Sequence, residues 1–351
     1  MAGKKIILFD ERVDCMSPAL LAAGDQKDVQ LLSLGEWSKI QEPLHPENRV
    51  IATSETVLPQ LIPFLDPGRK EVVATLKDKA AWRSRLQDHY PEIEFQVIEG
   101  RIPPLDPSKE YILKPAEGYA GIGSRRIRPG EELNEIWTGL QQEVQHWSQL
   151  LEGVFSVDKW LIETYVSGQL FASDAWFDEE GKVHLIGLYR EPGSRAEDGV
   201  ECLLSMTYPD LAAHNEAIRR EIQQIGGVLG IANLPVHFEF IQTPEGKFIP
   251  IDLNPLRFCS AGGHNLVLDA FGLNPFLAYL EDHSPNPLSL WNGQKGVAYH
   301  WVLVNRSDPT TPPDSSRREK VREILGNGLR SVSWFEQPFH TLDASAILSE
   351  G

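Results

Sequence analysis

Short apolar runs alternate with longer amphipathic stretches over the first 75 residues of the chain. Apolar runs bounded by polar residues are typical of buried strands, and they occur at Lys5–Phe9, Val29–Leu34 and Arg49–Thr53. The stretches around Met16–Ala23 and Val57–Leu65 have the pattern of helices. Strands that alternate with helices predict a small parallel α/β lobe. No GxGxxG turn follows the first strand, so the signature of a dinucleotide-binding lobe is absent.

A second pattern begins after the dipeptide Pro67-Gly68, which marks a turn. The pattern predicts a strand over Glu71–Thr75 and a helix over Asp78–Tyr90. Asp78, at the start of that helix, suits both the capping position and the helix dipole. Lys79 does not complement the dipole at this end, so on this pattern alone we expect a solvated surface lysine.

A glycine-rich loop, Pro115–Gly123, separates the predicted strands Glu110–Lys114 and Ser124–Arg128. It is not a P-loop, because it has no GK[ST] and no helix follows it. Three closely spaced glycines would let backbone N–H groups approach phosphates and let the loop move as a lid. The alternative is an ordinary flexible hairpin loop. The three glycines are Gly118, Gly121 and Gly123.

The rest of the chain mixes strands and helices without an internal repeat. The patterns predict strands at Ile93–Ile98, Lys159–Val166, Gln169–Phe177, Lys182–Tyr189, Gly296–Val304 and Ser331–Phe335. They predict helices at Glu131–Leu151, Leu211–Gly226, Asn265–Phe271, Asn274–Leu280 and Arg317–Leu325. Two polar loops, Arg190–Glu201 and Ser307–Ser316, interrupt this order.

The stretch Pro235–Arg257 reads as a β-hairpin, with strands Val236–Gln242 and Lys247–Leu253 around a four-residue turn. If the turn closes symmetrically, His237 faces Asp252 and Glu239 faces Pro250. Side chains alternate between the two faces of a strand. One face then gathers the three oxygen-bearing side chains Glu239, Asp252 and Asn254, and the other is the apolar set Phe238, Phe240, Ile249, Ile251 and Leu253.

Two carboxylates side by side repel each other, and a cation would remove the conflict. Mg²⁺ prefers carboxylate and carbonyl oxygens together with substrate phosphates. We therefore interpret the polar face of the hairpin as a magnesium platform. The alternative is an amphipathic hairpin whose polar face is solvated.

Composition narrows the functional class. The 351 residues are 41% hydrophobic and 24% charged, as in ordinary globular proteins, and the net charge is −17. This charge argues against a nucleic-acid-binding protein. No apolar run approaches a membrane span, and the apolar run near the start is too short for a signal peptide. Cys15, Cys202 and Cys259 are widely spaced with no CxxC, which is typical of a reducing compartment, so we expect a cytoplasmic protein.

Four features follow one another along the chain. They are Lys79 after a possible capping Asp, Lys114 before the glycine loop, Glu163 in LIETYV, and the hairpin run FEF…GKF…IDLNP. Their order and contexts resemble the ATP-grasp superfamily over about residues 70–282. The resemblance implies a mixed α/β (α+β) fold with a parallel α/β lobe ahead of the ATP-grasp domain. It divides the chain into a lobe at 1–75, a small nucleotide-binding subdomain at 76–162, a large metal and substrate subdomain at 163–284, and a C-terminal α/β extension at 285–351.

The resemblance also implies roles for individual residues. Lys79 and Lys114 would contact the phosphates of ATP, and the glycine loop would close over the triphosphate. The other implied nucleotide contacts are Glu117, Gly118, Gly121, Gly123, Glu163, Tyr165 and Val166, with Gln169 near the ribose because Leu170 stands where several relatives have Glu. The implied ligands of two Mg²⁺ ions, or alternatively Mn²⁺, are Glu239, Asp252 and Asn254.

Members of the superfamily typically phosphorylate a carboxylate to an acyl phosphate, which a nucleophile then attacks. The resemblance therefore implies a ligase for a small-molecule carboxylate and an amine, either amino-acid or peptide-like. Arg257 stands one residue beyond the usual position of a phosphate- or substrate-binding Arg. Arg190 and Arg195 could clamp a substrate carboxylate or be solvated loop charges. The alternatives are a phosphotransferase for another acceptor and a non-catalytic nucleotide-binding protein. Because dimers are the commonest oligomers of soluble proteins, a homodimer is one expectation for the assembly.

Overall fold

A computed structural model describes residues 3–40, 42–192, 200–291, 295–306, 314–336 and 342–351. Three β-sheets organise these residues. Arg195, and with it most of the polar loop predicted between Arg190 and Glu201, lies outside the described residues, as does most of the loop Ser307–Ser316. Among the described residues, none of the helices combines the length and apolar character needed to cross a lipid bilayer.

The first sheet is the predicted parallel α/β lobe. Its strands β1 (Lys5–Phe9), β2 (Val29–Ser33) and β3 (Arg49–Ala52) pair in the order β2-β1-β3, all parallel. Helices α1 (Pro18–Gly24) and α2 (Leu34–Ile40) lie on either side of β2 in the chain. The helix predicted over Val57–Leu65 is broken into the short helix α3 (Leu58–Leu61) between two 3-10 turns.

The strand predicted over Glu71–Thr75 is wrong, because this stretch lies inside the helix α4 (Pro67–Lys77). The Asp66 carboxylate accepts a hydrogen bond from the Arg69 amide, and Pro67 stands in the first turn, where its missing N–H costs nothing. The Pro-Gly dipeptide therefore begins a helix here. Asp78 caps the next helix, α5 (Lys79–Arg85), by accepting hydrogen bonds from two backbone amides, as predicted.

The second sheet is antiparallel and has four strands in the order β4-β7-β5-β6: β4 (Phe95–Ile98), β5 (Tyr111–Pro115), β6 (Arg125–Ile127) and β7 (Trp160–Thr164). The long helix α6 (Leu133–Leu150) buries Leu140 and Val144 in a shared apolar core with this sheet. The glycine loop connects β5 to β6, as expected.

The third sheet has eight strands, and every pairing in it is antiparallel. The order is β12-β11-β8-β9-β10-β13-β15-β14, with β8 (Gln169–Phe177), β9 (Val183–Arg190), β10 (Val200–Thr207), β11 (Leu234–Gln242), β12 (Phe248–Pro255), β13 (Ala298–Asn305), β14 (Leu329–Trp334) and β15 (Leu342–Glu350). The patterns did not predict β10 or β15. The C-terminal strands extend the same sheet that carries the hairpin, and the predicted four-part division of the chain stays a prediction.

The remaining helices are α7 (Tyr208–Leu229), α8 (Asn265–Phe271), α9 (Pro275–Leu280), α10 (Pro287–Leu290) and α11 (Ser315–Leu325). Of these, α9 contacts β3 of the first sheet, whereas α7, α8 and α10 contact the third sheet. Helix α7 approaches the sheet so closely that a Cβ atom at Gly226 would lie 2.1 Å from Cε1 of Phe177. Phe177 is fully buried next to β11, the first strand of the hairpin. The packing of α7 therefore supports the strand that presents Glu239.

We predict that Gly226→Ala destabilises the protein by about 1–3 kcal/mol, because the buried Phe177 ring cannot move away from the added methyl group. The adjacent residue supplies the control. Nothing lies within 4 Å of a Cβ at the exposed Gly227, so Gly227→Ala should stabilise the helix by up to about 1 kcal/mol. Urea unfolding of both variants measures the difference. Equal effects of the two substitutions would contradict the close approach of α7 to the sheet.

Candidate active site

The hairpin of β11 and β12 has a different register from the predicted one. Glu239 pairs with Asp252 and His237 pairs with Asn254, whereas Phe240 pairs with Pro250. The ladder between the two strands therefore contains a β-bulge, which leaves Ile251 without a pairing partner on β11. The predictions that Glu239 faces Pro250 and that His237 faces Asp252 are both wrong, because they assumed a four-residue turn and a regular ladder. Glu239 and Asp252 nevertheless share one face, and they are direct instead of diagonal neighbours.

The bulge also changes the position of Ile251. The regular alternation placed Ile251 on the apolar face, but this residue lines a cleft on the other side of the hairpin, together with Glu239 and Asp252. Its backbone carbonyl accepts a hydrogen bond from Lys114 Nζ at 3.2 Å. The bulge thus turns a backbone acceptor toward the second sheet.

A cleft of about 510 Å³ lies between the second sheet and the hairpin. It brings together most of the predicted site residues. Those that line it are Lys79, Lys114, Gly118, Gly121, Glu163, Tyr165, Val166, Glu239, Asp252 and Arg257. Its apolar lining comes from Ile112, Ile122, Leu203, Ile241 and Ile251. A cleft of this size is typical of small-molecule sites.

Lys79 is 7% exposed, so it is not the surface lysine that its helix position favours. Its Nζ lies 3.2 Å from Asp252 Oδ1 and 3.4 Å from the carbonyl oxygen of Gly118. Burial alone would raise the pKa of Asp252, but the charges of Lys79 and Lys114 outweigh it and hold that pKa below its ordinary value. Asp252 is therefore an anion at neutral pH.

Glu163 is the centre of a buried ion-pair network. Its carboxylate lies 2.6 Å from Lys114 Nζ and 2.8 Å from Arg83 Nη2. Burial would raise the pKa of Glu163, but Lys114 and Arg83 hold it below its ordinary value. Burial lowers the pKa of Lys114. The negative charge of Glu163 opposes this effect, whereas the positive charges of Arg83 and Lys79 add to it.

Sequence reasoning did not single out Arg83. It lies one helical turn after Lys79 on α5, a spacing that puts both side chains on one face. Its Nη1 also donates to the carbonyl oxygen of Pro250, at 2.9 Å. Arg83 therefore connects the small sheet to the hairpin.

Glu239 faces a second buried chain of hydrogen bonds. His237 Nδ1 lies 2.7 Å from Asp174 Oδ1, and His237 Nε2 lies 3.7 Å from Glu239 Oε1. Burial would lower the pKa of His237, but its hydrogen bond to Asp174 and the nearby carboxylate of Glu239 raise it to about 9. Asp174 is fixed in turn by the hydroxyl of Tyr189 and the amide of Cys259. The patterns placed His237 on the polar face but gave no role to Asp174.

Asn254 is 3% exposed and lies opposite His237, next to the Glu239–Asp252 pair. Its Nδ2 is buried and has no hydrogen-bond partner among the described residues. The set of Glu239, Asp252 and Asn254 supplies two carboxylates and one amide, the oxygen ligands that Mg²⁺ accepts. Over the described part of the chain, no three His, Cys, Asp or Glu side chains cluster to hold a metal. A cation at this face would need further oxygens from a ligand or water.

The glycine loop closes one side of the cleft. Gly121 and Gly123 both have positive φ, at 71° and 73°. A Cβ at Gly123 would lie 2.3 Å from Val144 Cγ2 of α6, so this position requires glycine for space as well as for conformation. Gly123 and Glu117 are not among the cleft-lining residues, and the carbonyl oxygen of Glu117 accepts from the Ser156 amide.

Arg257 reaches the cleft from the end of the hairpin, where Leu256 has a φ of 62°. Its Nε lies 3.0 Å from Glu55 Oε1, and Lys77 Nζ lies 2.6 Å from the other oxygen of Glu55. The amide of Ala52 donates to the carbonyl of Leu256 at 2.7 Å. The carboxyl end of the parallel sheet therefore holds Arg257 at the cleft, from outside the hairpin.

Besides Glu117, Gly123 and Asn254, two more predicted site residues are absent from the cleft lining. Arg190 is not among the residues lining the cleft, and its Nε donates to Asp210 Oδ2 at 3.0 Å. Gln169 does not line the cleft either, since its Nε2 donates to the carbonyl of Glu191 at 2.7 Å. The side chain of Glu191 does line the cleft, and burial together with the charge of Glu239 raises its pKa.

Three comparisons relate this chain to known proteins. Residues 108–264 match the family described as the ATP-grasp domain. No curated protein sequence matches the chain. Among solved structures, the L-amino acid ligase from Bacillus licheniformis is similar over 100% of this chain and 94% of its own length, with a TM-score of 0.65 and 16% identity.

Two further solved structures are similar over nearly the whole chain. One is the biotin carboxylase domain of the Hydrogenobacter thermophilus 2-oxoglutarate carboxylase, in complex with MgADP, ADP and bicarbonate, with a TM-score of 0.59, 15% identity and coverage of 97% and 85%. The other is the N5-carboxyaminoimidazole synthase from Aspergillus clavatus, with a TM-score of 0.58, 11% identity and coverage of 100% and 95%. At these identities the likeness shows the fold.

We predict that Glu55→Gln destabilises the protein by about 3–5 kcal/mol at neutral pH, because Lys77 and the buried Arg257 lose their shared counter-charge. Burial would raise the pKa of Glu55, but those two cations hold it below its ordinary value. The stabilisation is complete above the unfolded-state pKa of about 4.3 and is lost as pH falls through the lower folded-state pKa.

The free-energy gap between wild type and Glu55→Gln should therefore narrow below about pH 4. Urea unfolding at a series of pH values measures this gap. The exposed Glu99 supplies the control, and Glu99→Gln should leave stability unchanged within about 0.5 kcal/mol. A gap that stays constant down to pH 3 would show that Glu55 does not stabilise through its charge.

Proposed function

We propose that this chain is a member of the ATP-grasp superfamily and an ATP- and Mg²⁺-dependent ligase that joins a small-molecule carboxylate to an amine. One observation carries the proposal. Lys79 and Lys114 converge on the Glu239–Asp252 hairpin inside a single cleft, under the glycine loop. Phosphoryl transfer needs charge neutralisation and alignment more than it needs a protein nucleophile, and this cleft offers both.

ATP fits the two chemically different ends of the cleft. The adenine would lie among the apolar lining residues near Tyr165 and Val166, at the connection between the second and third sheets. The phosphates would lie near Lys79 and Lys114, under Gly118 and Gly121. Lys79 would exchange its contact with Asp252 for a phosphate oxygen. On this proposal, residues 76–162 and 163–284 are the two halves that enclose the nucleotide.

Glu239, Asp252 and Asn254 would hold one or two Mg²⁺ ions, with phosphate oxygens completing the ligand set. When bound, Mg²⁺ neutralises and aligns the phosphates for transfer. The chain's own contribution is to fix these ligands. Lys114 is held by Glu163 and by the Ile251 carbonyl. The imidazolium of His237 lies behind Glu239 and is itself fixed by Asp174. Arg257 would bind the substrate carboxylate or the transferred phosphoryl group.

The acceptor carboxylate would be phosphorylated to an acyl phosphate, and the amine would then displace phosphate and form the C–N bond. The similarity to an L-amino acid ligase over nearly the full length of both chains supports an amino acid or a related small molecule as the substrate class. We expect the reaction to take place in a reducing compartment such as the cytoplasm.

The double variant Glu239→Gln/Asp252→Asn should lose turnover by at least 10²–10³-fold, the usual effect of removing preorganised electrostatic groups. Its fold, judged by circular dichroism and thermal unfolding, should remain. The assay supplies ATP, Mg²⁺ and pooled amino and organic acids, and it follows ADP release and product mass. The hairpin supplies a control, since Glu245 lies exposed in the turn and Glu245→Gln should keep full activity.

Each other outcome has a distinct meaning. Wild-type turnover by the double variant would refute the metal assignment. A stable phosphorylated acceptor would identify a phosphotransferase. A melting-temperature increase with a Mg·ATP analogue, without turnover on any acceptor, would indicate a nucleotide-binding protein that is not a ligase.

A further inference from the structure

A second cavity, of about 310 Å³, lies between the parallel sheet and strand β14 of the C-terminal extension. We call it the β1–β14 cavity. It is separate from the cleft described above, because the two share no lining residue. Its volume is at the lower end of the range for small-molecule sites. It opens at the carboxyl end of β1, the end of a parallel sheet where ligands usually bind.

Part of the lining of the β1–β14 cavity is apolar, and this part comes from both sides of the cavity. It consists of Phe9, Met16, Val332 and Trp334. Met16 is 40% exposed, although it is a large apolar side chain. Arg318 and Arg322 lie over the ring of Trp334, with guanidinium carbons 5.0 and 5.7 Å from its centroid. These side chains therefore offer apolar surface to an aliphatic or aromatic body.

The rest of the lining is acidic apart from Ser333. It comes from Glu11, Asp14 and Glu336, and no Lys or Arg contributes to it among the described residues. Glu336 is already bound by Arg318, at 2.6 and 2.7 Å. Glu11 has no ion-pair partner in the described part of the chain. The unbalanced negative charge in this cavity is thus carried by Glu11 and Asp14.

Asp14 is held in one orientation by neighbours that contact a single oxygen. Its Oδ2 accepts hydrogen bonds from the amide of Asp10 at 2.8 Å, from Thr53 Oγ1 at 2.5 Å and from Ser54 Oγ at 3.1 Å. Its Oδ1 has no partner among the described residues. Burial raises the pKa of Asp14 to about 6, despite the hydrogen bonds from Thr53 and Ser54. A bound cation would offset this burial cost.

Asp14 is also close to the ATP cleft. The residue after Ser54 is Glu55, which holds Arg257 at the cleft. Tyr119 of the glycine loop lines the cleft, and burial together with the charge of Asp14 raises its pKa to about 12. Asp14 in the β1–β14 cavity is therefore connected through Ser54 and Glu55 to Arg257 at the cleft.

We propose that the β1–β14 cavity binds the amine substrate, as a primary ammonium group at Asp14 and Glu11 with an aliphatic or aromatic body against Met16 and Trp334. That the bound amine is the acceptor of the ligation rests on the proposed function. The binding itself does not, since the cavity is built from residues outside the ATP cleft.

Calorimetric titration with 2-phenylethylamine tests the proposal, and 3-phenylpropionate is the matched probe of opposite charge. We expect the amine to bind and the carboxylate to bind at least tenfold more weakly. Asp14→Asn, which can still accept hydrogen bonds from Thr53 and Ser54, should weaken amine binding at least tenfold. Equal affinity of wild type and Asp14→Asn for the amine would overturn the proposal.

Two exposed positions keep the test independent of folding. Glu11→Gln should weaken amine binding several-fold, and Met16→Trp should fill the cavity and weaken it at least tenfold. Glu152→Gln, an exposed substitution distant from the cavity in sequence and absent from its lining, should leave binding unchanged. Unchanged amine binding in both Glu11→Gln and Met16→Trp would also overturn the proposal.

Binding of a Mg·ATP analogue, measured in the same samples, separates the two proposals. Analogue binding without amine binding would refute the cavity assignment and leave the proposed ligase function standing. Amine binding that is lost in Asp14→Asn, without analogue binding, would support the cavity and count against the ligase. If both bind, turnover with 2-phenylethylamine and pooled carboxylates should fall in Asp14→Asn through KM more than through kcat.

Discussion

The buried carboxylate of Glu163 is the interaction on which the candidate site depends. It binds Lys114 from its own sheet and Arg83 from helix α5, and all three side chains are almost fully buried. Removing one partner from such a group would leave a buried charge uncompensated, at a cost of about 3–5 kcal/mol. The two cations are therefore fixed in position before any ligand binds. Each of them then donates to a backbone carbonyl of the hairpin, Arg83 to Pro250 and Lys114 to Ile251.

These two carbonyls are available because of the β-bulge. In a regular antiparallel ladder the carbonyls of adjacent residues point to opposite sides, and half of them bond to the neighbouring strand. The bulge at Ile251 interrupts this pattern, so the hairpin offers consecutive acceptors to the second sheet. The same irregularity places Asp252 opposite Glu239. One extra residue in β12 thus both docks the hairpin against the cations and brings the two carboxylates side by side.

The sequence patterns predicted the parallel lobe, the glycine loop and the polar face of the hairpin, because each depends on local periodicity and turn residues. They could not predict the bulge, since Ile251 fits the regular alternation of apolar residues with Ile249 and Leu253. They also placed Lys79 on the surface and did not single out Arg83 or Asp174. Those side chains owe their positions to partners distant in sequence, such as Asp252, Glu163 and His237. The helix α4 was missed because Val72 and Val73 resemble a strand, whereas the Asp66 cap and Pro67 begin a helix.

The charges inside the cleft do not cancel around the lysines. In direct contact, three cations (Lys79, Lys114 and Arg83) face two anions (Glu163 and Asp252), and two further carboxylates, those of Glu191 and Glu239, line the same cleft. If Asp252 binds a divalent cation with Glu239, Lys79 loses its partner and the local positive charge increases further. A surplus of positive charge in a buried site is costly unless an anion compensates it. On the proposed function, the phosphates of a nucleotide would supply this compensation at both places, since their oxygens would bind the lysines and complete the coordination of the metal ions.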